Sequence, residues 1–210
     1  MFLFLGIYIT TKYKIIILAM TNLIKINKGD DDYPEALNQY LCIHAPKTVT
    51  AVGKRNILQN KKLAIFCSVK CPGNIILKTY DLIKKLKESS ITVISGFHSP
   101  MDSEFLNILL KGKQQVIICP ARDINGMRIK AVYKKHLEDG RLLFLSTFTK
   151  KERRISSEKA LLRNRFVAAI ADSVFIPYTE PKSKTEKFYN EISKWDKQIY
   201  SLENMLTMDL

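Results

Sequence analysis

"LAIFCSVKCPGNIILKTYDLIKKLKESSITVIS", Leu63–Ser95, is the stretch on which the fold turns. Its first segment, Leu63–Val69, is an unbroken apolar run, the pattern of a strand buried on both faces. Pro72-Gly73 then breaks the chain. Across Asn74–Ser89 the apolar positions Ile75, Ile76, Thr79, Leu82, Ile83 and Leu86 recur with a helical period. Lys78, Lys84, Lys85 and Lys87 fall mostly on the opposite side. A second buried strand, Ile91–Ser95, follows. Strand, helix and strand in this order form a βαβ unit, which implies parallel pairing beneath a covering helix.

The alternation continues toward the C-terminus. Gln115–Cys119, Arg141–Ser146, Ser173–Pro177 and the shorter Lys197–Leu202 read as strands. Met101–Lys111, Asn125–Glu138, a helix opening near Ser156-Ser157-Glu158, and Thr185–Lys194 read as the helices between them. The expected fold is therefore α/β and Rossmann-like, with a mostly parallel sheet flanked by helices on both faces. On the N-terminal side, Glu35–Leu41 predicts a short helix and Val49–Val52 a short strand. Three regions follow: 61–205 as the Rossmann-like domain, 20–60 as a lead-in, and 1–19 as an upstream extension or an extra strand. The opening "MFLFLGIYITTKYKIIILAM" is apolar but interrupted by Lys12 and Lys14. It lacks the basic start and cleavage site of a signal peptide, and neither of its apolar runs reaches the ~20 residues of a membrane span. Met20 is the expected natural start, with an edge strand within Phe2–Leu18 as the alternative.

Hydrophobic residues make up 46% and charged residues 26%, proportions of a globular protein. The 34 basic residues exceed the 20 acidic ones to give a net charge of +14. That excess favours a polyanionic partner such as nucleic acid, an acidic membrane or a phosphorylated ligand, against the plainer reading of a Lys-rich solubilising surface. Cys42, Cys67, Cys71 and Cys119 do not form a disulfide framework, and their spacing is not that of a zinc site. Reduced thiols fit a cytoplasmic protein. His44, His98 and His136 are scattered and suggest no catalytic order. No metal, no cofactor and no catalytic residue is expected.

An open parallel sheet binds ligands outside the carboxyl ends of its strands, where helix N-termini point. The loops to inspect are "KCPGN", "GFHSPMD", "PARDING", "TFTKKERRISS" and "YTEPKSKTE". Arg163 and Arg165 lie in the helix after the fourth of these loops and are candidates to hold phosphate there. Two residues apart, they cannot share one helix face. Asn164 between them is expected to bond a neighbouring strand loop. Side chains tilt toward a helix's N-terminus, so Arg163 is expected to reach the loops after Val69 and Pro177.

Several segments resemble the DprA/Smf DNA-processing family. "DDDYPEALNQYLCIHAPKTVTAVGKRNILQNKKLAIFCSV" resembles the lead into that family's Rossmann-like domain. "VISGFHSPMDSEFLNILL" is similar to its Ser-Gly-loop-Asp motif, with Ser95, Gly96 and Asp102 in place. "LLRNRFVAAIADSVFI" is similar to its Arg-Asn-Arg helix, at Arg163, Asn164 and Arg165. The resemblance runs from about Asp30 to Leu202 and suits a short, divergent member without the C-terminal winged-helix domain. It departs from the family in three loops. The family's Gly-Ser-Arg is here Cys67-Ser68-Val69, with Lys70 as a partial replacement for the arginine; Ser99 and Pro100 stand where Arg and Gly are usual; and Pro181-Lys182-Ser183 replaces a Gly-Ser pair. The resemblance implies a non-enzymatic protein that binds single-stranded DNA and hands it to a RecA-type recombinase, acting as a homodimer away from the membrane. The implied phosphate-binding set is Lys70, Gly96, Arg163, Arg165, Lys182, Ser183, Lys184 and Thr185. The alternative is a nucleotide-ligand sensor or a LOG-type phosphoribohydrolase of the same superfamily. Hydrolysis is disfavoured because Thr185 and Glu186 stand without that enzyme's glycine loop.

Overall fold

The four strands at the heart of the sheet are β3 (Lys62–Ile65), β4 (Thr92–Ser95), β5 (Val116–Ile118) and β6 (Leu142–Ser146), and every residue in them is buried. Helices cover both faces, which is why these strands read as continuous apolar runs rather than as alternations. The computed structural model describes residues 23–68, 70–148 and 154–202. The expected extension at 1–19, and with it the alternative strand within Phe2–Leu18, lies outside the described residues.

The sheet has eight strands in the order β1-β2-β6-β5-β4-β3-β7-β8, where β1 is Ile24–Asn27, β2 Thr48–Gly53, β7 Ser173–Phe175 and β8 Gln198–Tyr200. Strands β3 to β8 pair in parallel; β2 runs antiparallel to β6 and β1 antiparallel to β2. The residues read as a lead-in therefore extend the same sheet. One face carries α2 (Gly73–Leu86), α3 (Pro100–Leu110) and α4 (Ala131–Glu138), which bury Leu82, Ile83, Leu86, Phe105, Leu109 and Leu137. The other carries α1 (Ala36–Leu41), α5 (Ser157–Ile170) and α6 (Lys184–Ile192), which bury Leu37, Phe166, Val167, Phe188 and Ile192. After β3 the chain adds strands in one direction through β6, then returns to place β7 on the other side of β3. The switch point thus lies between β3 and β7, where doubly wound sheets open a crevice for ligands.

Local chemistry explains the helix ends. Ser156 caps α5 by accepting from Lys159 N at 3.2 Å, where the sequence placed the start. At the other end, Lys197 Nζ donates to the carbonyls of Ala168 (2.6 Å), Ala169 (2.9 Å) and Ala171 while lying 4.1 Å above the Tyr40 ring. These acceptors favour the ammonium, but burial outweighs them and pushes Lys197 down to about 8 from the ordinary 10.5. The unfolded chain therefore holds the extra proton between those values, and stability gains a rising component with pH across that window. Thermal melts of the native chain and Lys197→Met at pH 7.5 to 10.5 should show that component in the native chain alone.

One helix begins later than expected. The sequence suggested Asn125–Glu138, but α4 begins at Ala131. Asn125-Gly126 is a turn: Asp123 Oδ1 accepts from Asn125 N at 2.9 Å, Gly126 has a φ of 67°, and Met127 N donates to Ile124 O. Residues 120–130 consequently form a loop across the carboxyl ends of β5 and β6.

Candidate nucleic-acid interface

Ser95, Gly96 and Asp102 tie the strand ends together at the floor of the crevice. Ser95 Oγ donates to Ile65 O at 2.7 Å, joining the tip of β4 to the tip of β3. Asp102 completes a reciprocal cap with Ser99 at the start of α3, at 3.1 and 3.2 Å. Burial pushes its carboxyl up, while the Ser99 bonds and the nearby Arg163 charge pull it back down.

Arg163 explains the glycine beside them. A Cβ on Gly96 would lie 1.1 Å from Arg163 Nη1, so only glycine leaves room for the guanidinium. Arg163 is 8% exposed; Nη1 donates to Cys119 O at 3.1 Å and Nε to Asn164 Oδ1 at 2.8 Å. It reaches back toward the rim, but to the ends of β4 and β5 rather than to the loops after Val69 and Pro177. The difference arises because α5 lies across the centre of the sheet and packs on β3 and β4. Burial lowers the Arg163 pKa, which the neighbouring Cys119 and Asp102 oppose. Asn164 accepts from its neighbour, in place of the strand-loop bond that the sequence suggested. Arg165 points elsewhere, forming a two-pronged ion pair with Glu191 of α6 at 2.6 and 2.8 Å. The two arginines therefore occupy different sites, as their spacing requires.

Lys70, Lys182, Ser183, Lys184 and Thr185 gather at the switch point, because β3 and β7 are neighbours and both loops leave from their carboxyl ends. Ser183 caps α6 by accepting from Glu186 N at 3.0 Å, and Glu186 returns a carboxylate to Lys182 N at 2.7 Å. Lys182 has a φ of 62°, which turns the chain sharply into the helix. Lys70 lies 3.8 Å from Glu180 in an exposed pair that holds it only weakly. Glu180 and Glu186 thus offset part of the positive charge here.

The denser cationic patch lies beside β4 and β5. A cavity of about 340 Å³ is lined by Gly96, His98, Arg122, Arg128, Lys130 and Arg163, among others. Arg122, Arg128 and Lys130 are absent from the expected phosphate-binding set, because the stretch carrying the latter two reads as helix in the sequence. The Asn125-Gly126 dipeptide was the signal for the loop that presents them. Cys67 and Cys119 sit close by as thiols held in the protonated form: burial pushes Cys67 well up and Cys119 to about 12. Among the described residues no cluster of side chains could hold a metal ion, and no helix is long and apolar enough to cross a membrane.

The family of DNA recombination-mediator protein A matches residues 25–208. The chain belongs to that family. The fold agrees with two solved structures. DNA processing protein A from Streptococcus pneumoniae superposes with a TM-score of 0.66 at 18% identity, over 87% of this chain and 63% of that one. The Helicobacter pylori protein, described for its single-stranded DNA binding mode, gives 0.66 at 21% identity, over 86% of this chain and 80% of its own. The chain therefore spans less than two thirds of the S. pneumoniae protein. No curated protein matches by sequence.

Proposed function

We propose that this chain binds single-stranded DNA along the carboxyl-terminal rim of its sheet, chiefly through phosphate contacts, in DNA processing and recombination. The observation that carries this reading is the convergence on one rim of Lys70, Lys182 and Lys184 at the switch point with Arg122, Arg128 and Lys130 beside it. Lys184 and Thr185 add the N-terminus of α6, where helix N–H groups favour anions. Arg163 serves as the positively charged floor, and Gly96 as the position that admits it. Membership of the recombination-mediator family and the DNA binding of the H. pylori relative support this reading. Family membership also supports delivery of the strand to a RecA-type recombinase by a cytoplasmic homodimer.

A strand held by phosphates must bind more tightly as it lengthens, until it spans the rim. Fluorescence anisotropy with oligonucleotides of increasing length should show this rise, and mononucleotides should compete poorly. Equal affinity for a mononucleotide and a long strand would instead favour a nucleotide sensor.

A further inference from the structure

A second, larger cavity of about 1050 Å³ opens on the opposite face of the sheet, between α5 and the β1–β2 pair. We propose that it is a base-binding subsite, which takes an unstacked base from the same single strand that the rim holds. This inference rests on the DNA-binding reading above.

Its size sets it apart from packing defects, since protein interiors contain few voids larger than a water molecule. Pockets for small ligands typically measure ~300–1,000 Å³. Its position is the stronger argument. The loop at residues 120–130 is the partition between the two cavities: Arg122 and Met127 line the smaller, Asp123 and Asn125 the larger. Ser146 Oγ donates to Arg122 O at 2.8 Å and ties the partition to the end of β6, while Asp123 accepts from Asn125 N within the loop and fixes its turn. A strand crossing this loop passes directly from the cationic rim to the mouth of the second cavity.

The lining suits a base with its flanking phosphate. Trp195 offers a half-buried aromatic face, and its ring is backed by Tyr40 at a centroid distance of 5.1 Å. Bases stack on such surfaces with little regard to sequence. Lys25 and Lys47 stand exposed in the lining and take part in none of the ion pairs among the described residues. They supply charge for a phosphate. Asp123 and Asn125 present an acceptor and an amide to a base edge. Arg165 and Glu191 neutralise each other in the wall. That pairing gives Arg165 a place in this subsite rather than at the rim.

Trp195 is the single tryptophan of the chain, so its fluorescence reports on this cavity alone. The full chain would be titrated with a labelled oligonucleotide, reading anisotropy, and with the unlabelled strand, reading Trp195 emission. An abasic strand of the same length serves as the control. The expected result is quenching that saturates with the anisotropy, is absent with the abasic strand, and disappears in Lys25→Glu/Lys47→Glu. That variant should retain its Tm and lose about tenfold in affinity, the loss of the one phosphate contact that the two lysines share. Saturating anisotropy with unchanged emission would overturn the subsite and leave the rim reading intact. Equal quenching by the abasic strand would also overturn it. No anisotropy change with any strand would overturn the rim reading and this inference with it.

Discussion

Gly96→Ala should lower stability by about 3 kcal/mol, roughly 6–12 °C in Tm. The added methyl cannot coexist with the Arg163 guanidinium, because its carbon would lie 1.1 Å from Nη1. Either the backbone after β4 moves or Arg163 leaves its seat. Leaving costs the hydrogen bond to Cys119 O and strands that carbonyl in the core, typically ~1–3 kcal/mol. Overpacking at the glycine adds ~1–3 kcal/mol. Arg163→Ala should itself destabilise, since it orphans the same carbonyl. The decisive measurement is the double variant. With the guanidinium gone, a methyl at Gly96 enters vacated space, so Gly96→Ala should cost under about 1 kcal/mol in the Arg163→Ala background. The two changes would then couple by ~2–3 kcal/mol, as contacting residues do. Additive melting shifts would mean that Gly96 is required for another reason and that the seat for Arg163 is incidental.

This pair also marks where the sequence stops being informative. The central strands were legible because burial on both faces forces a run such as Leu142–Ser146 to be apolar throughout. The start of α5 was legible because Ser156 and Glu158 are local signals. Strand order has no comparable local signal. Nothing near Leu63 says that Ser173–Phe175 rather than a later strand will lie beside it, yet that adjacency creates the switch point and brings Lys70 to Lys182. Arg163 illustrates the same limit. Its charge and position in the helix suggested a ligand contact, whereas its partner carbonyl at Cys119 and its space at Gly96 come from segments distant in sequence. Arg165 turned on Glu191, two elements later. The β1 strand was missed because Ile24–Asn27 is short and lies at the sheet edge, where only Ile26 is buried. The loop at residues 120–130 was misread for a different reason. Ile129 stands a helical four residues before Tyr133, but it lines the smaller cavity together with Met127.

Reversing two charges at either end of the rim should weaken single-strand binding by about 100-fold, from roughly 1.5 kcal/mol for each charge-assisted phosphate contact. Arg128→Glu/Lys130→Glu tests the end beside α4; Lys182→Glu/Lys184→Glu tests the switch point. Each lost contact should also flatten the dependence of log affinity on log salt by about 0.7, hence ~1.4 for each pair. Because phosphates carry no sequence information, the loss should be uniform across oligonucleotide sequences. Stability should hardly change, since these side chains form none of the ion pairs or side-chain hydrogen bonds among the described residues. The two pairs differ in their local field. Glu180 and Glu186 already dilute the charge at the switch point, whereas Arg122 and the buried Arg163 reinforce it at the smaller cavity. The Arg128/Lys130 pair should therefore show the larger loss. A loss confined to the Lys182/Lys184 pair would return the strand to the crevice between β3 and β7. If neither pair changes the affinity or the salt slope, the strand does not follow this rim.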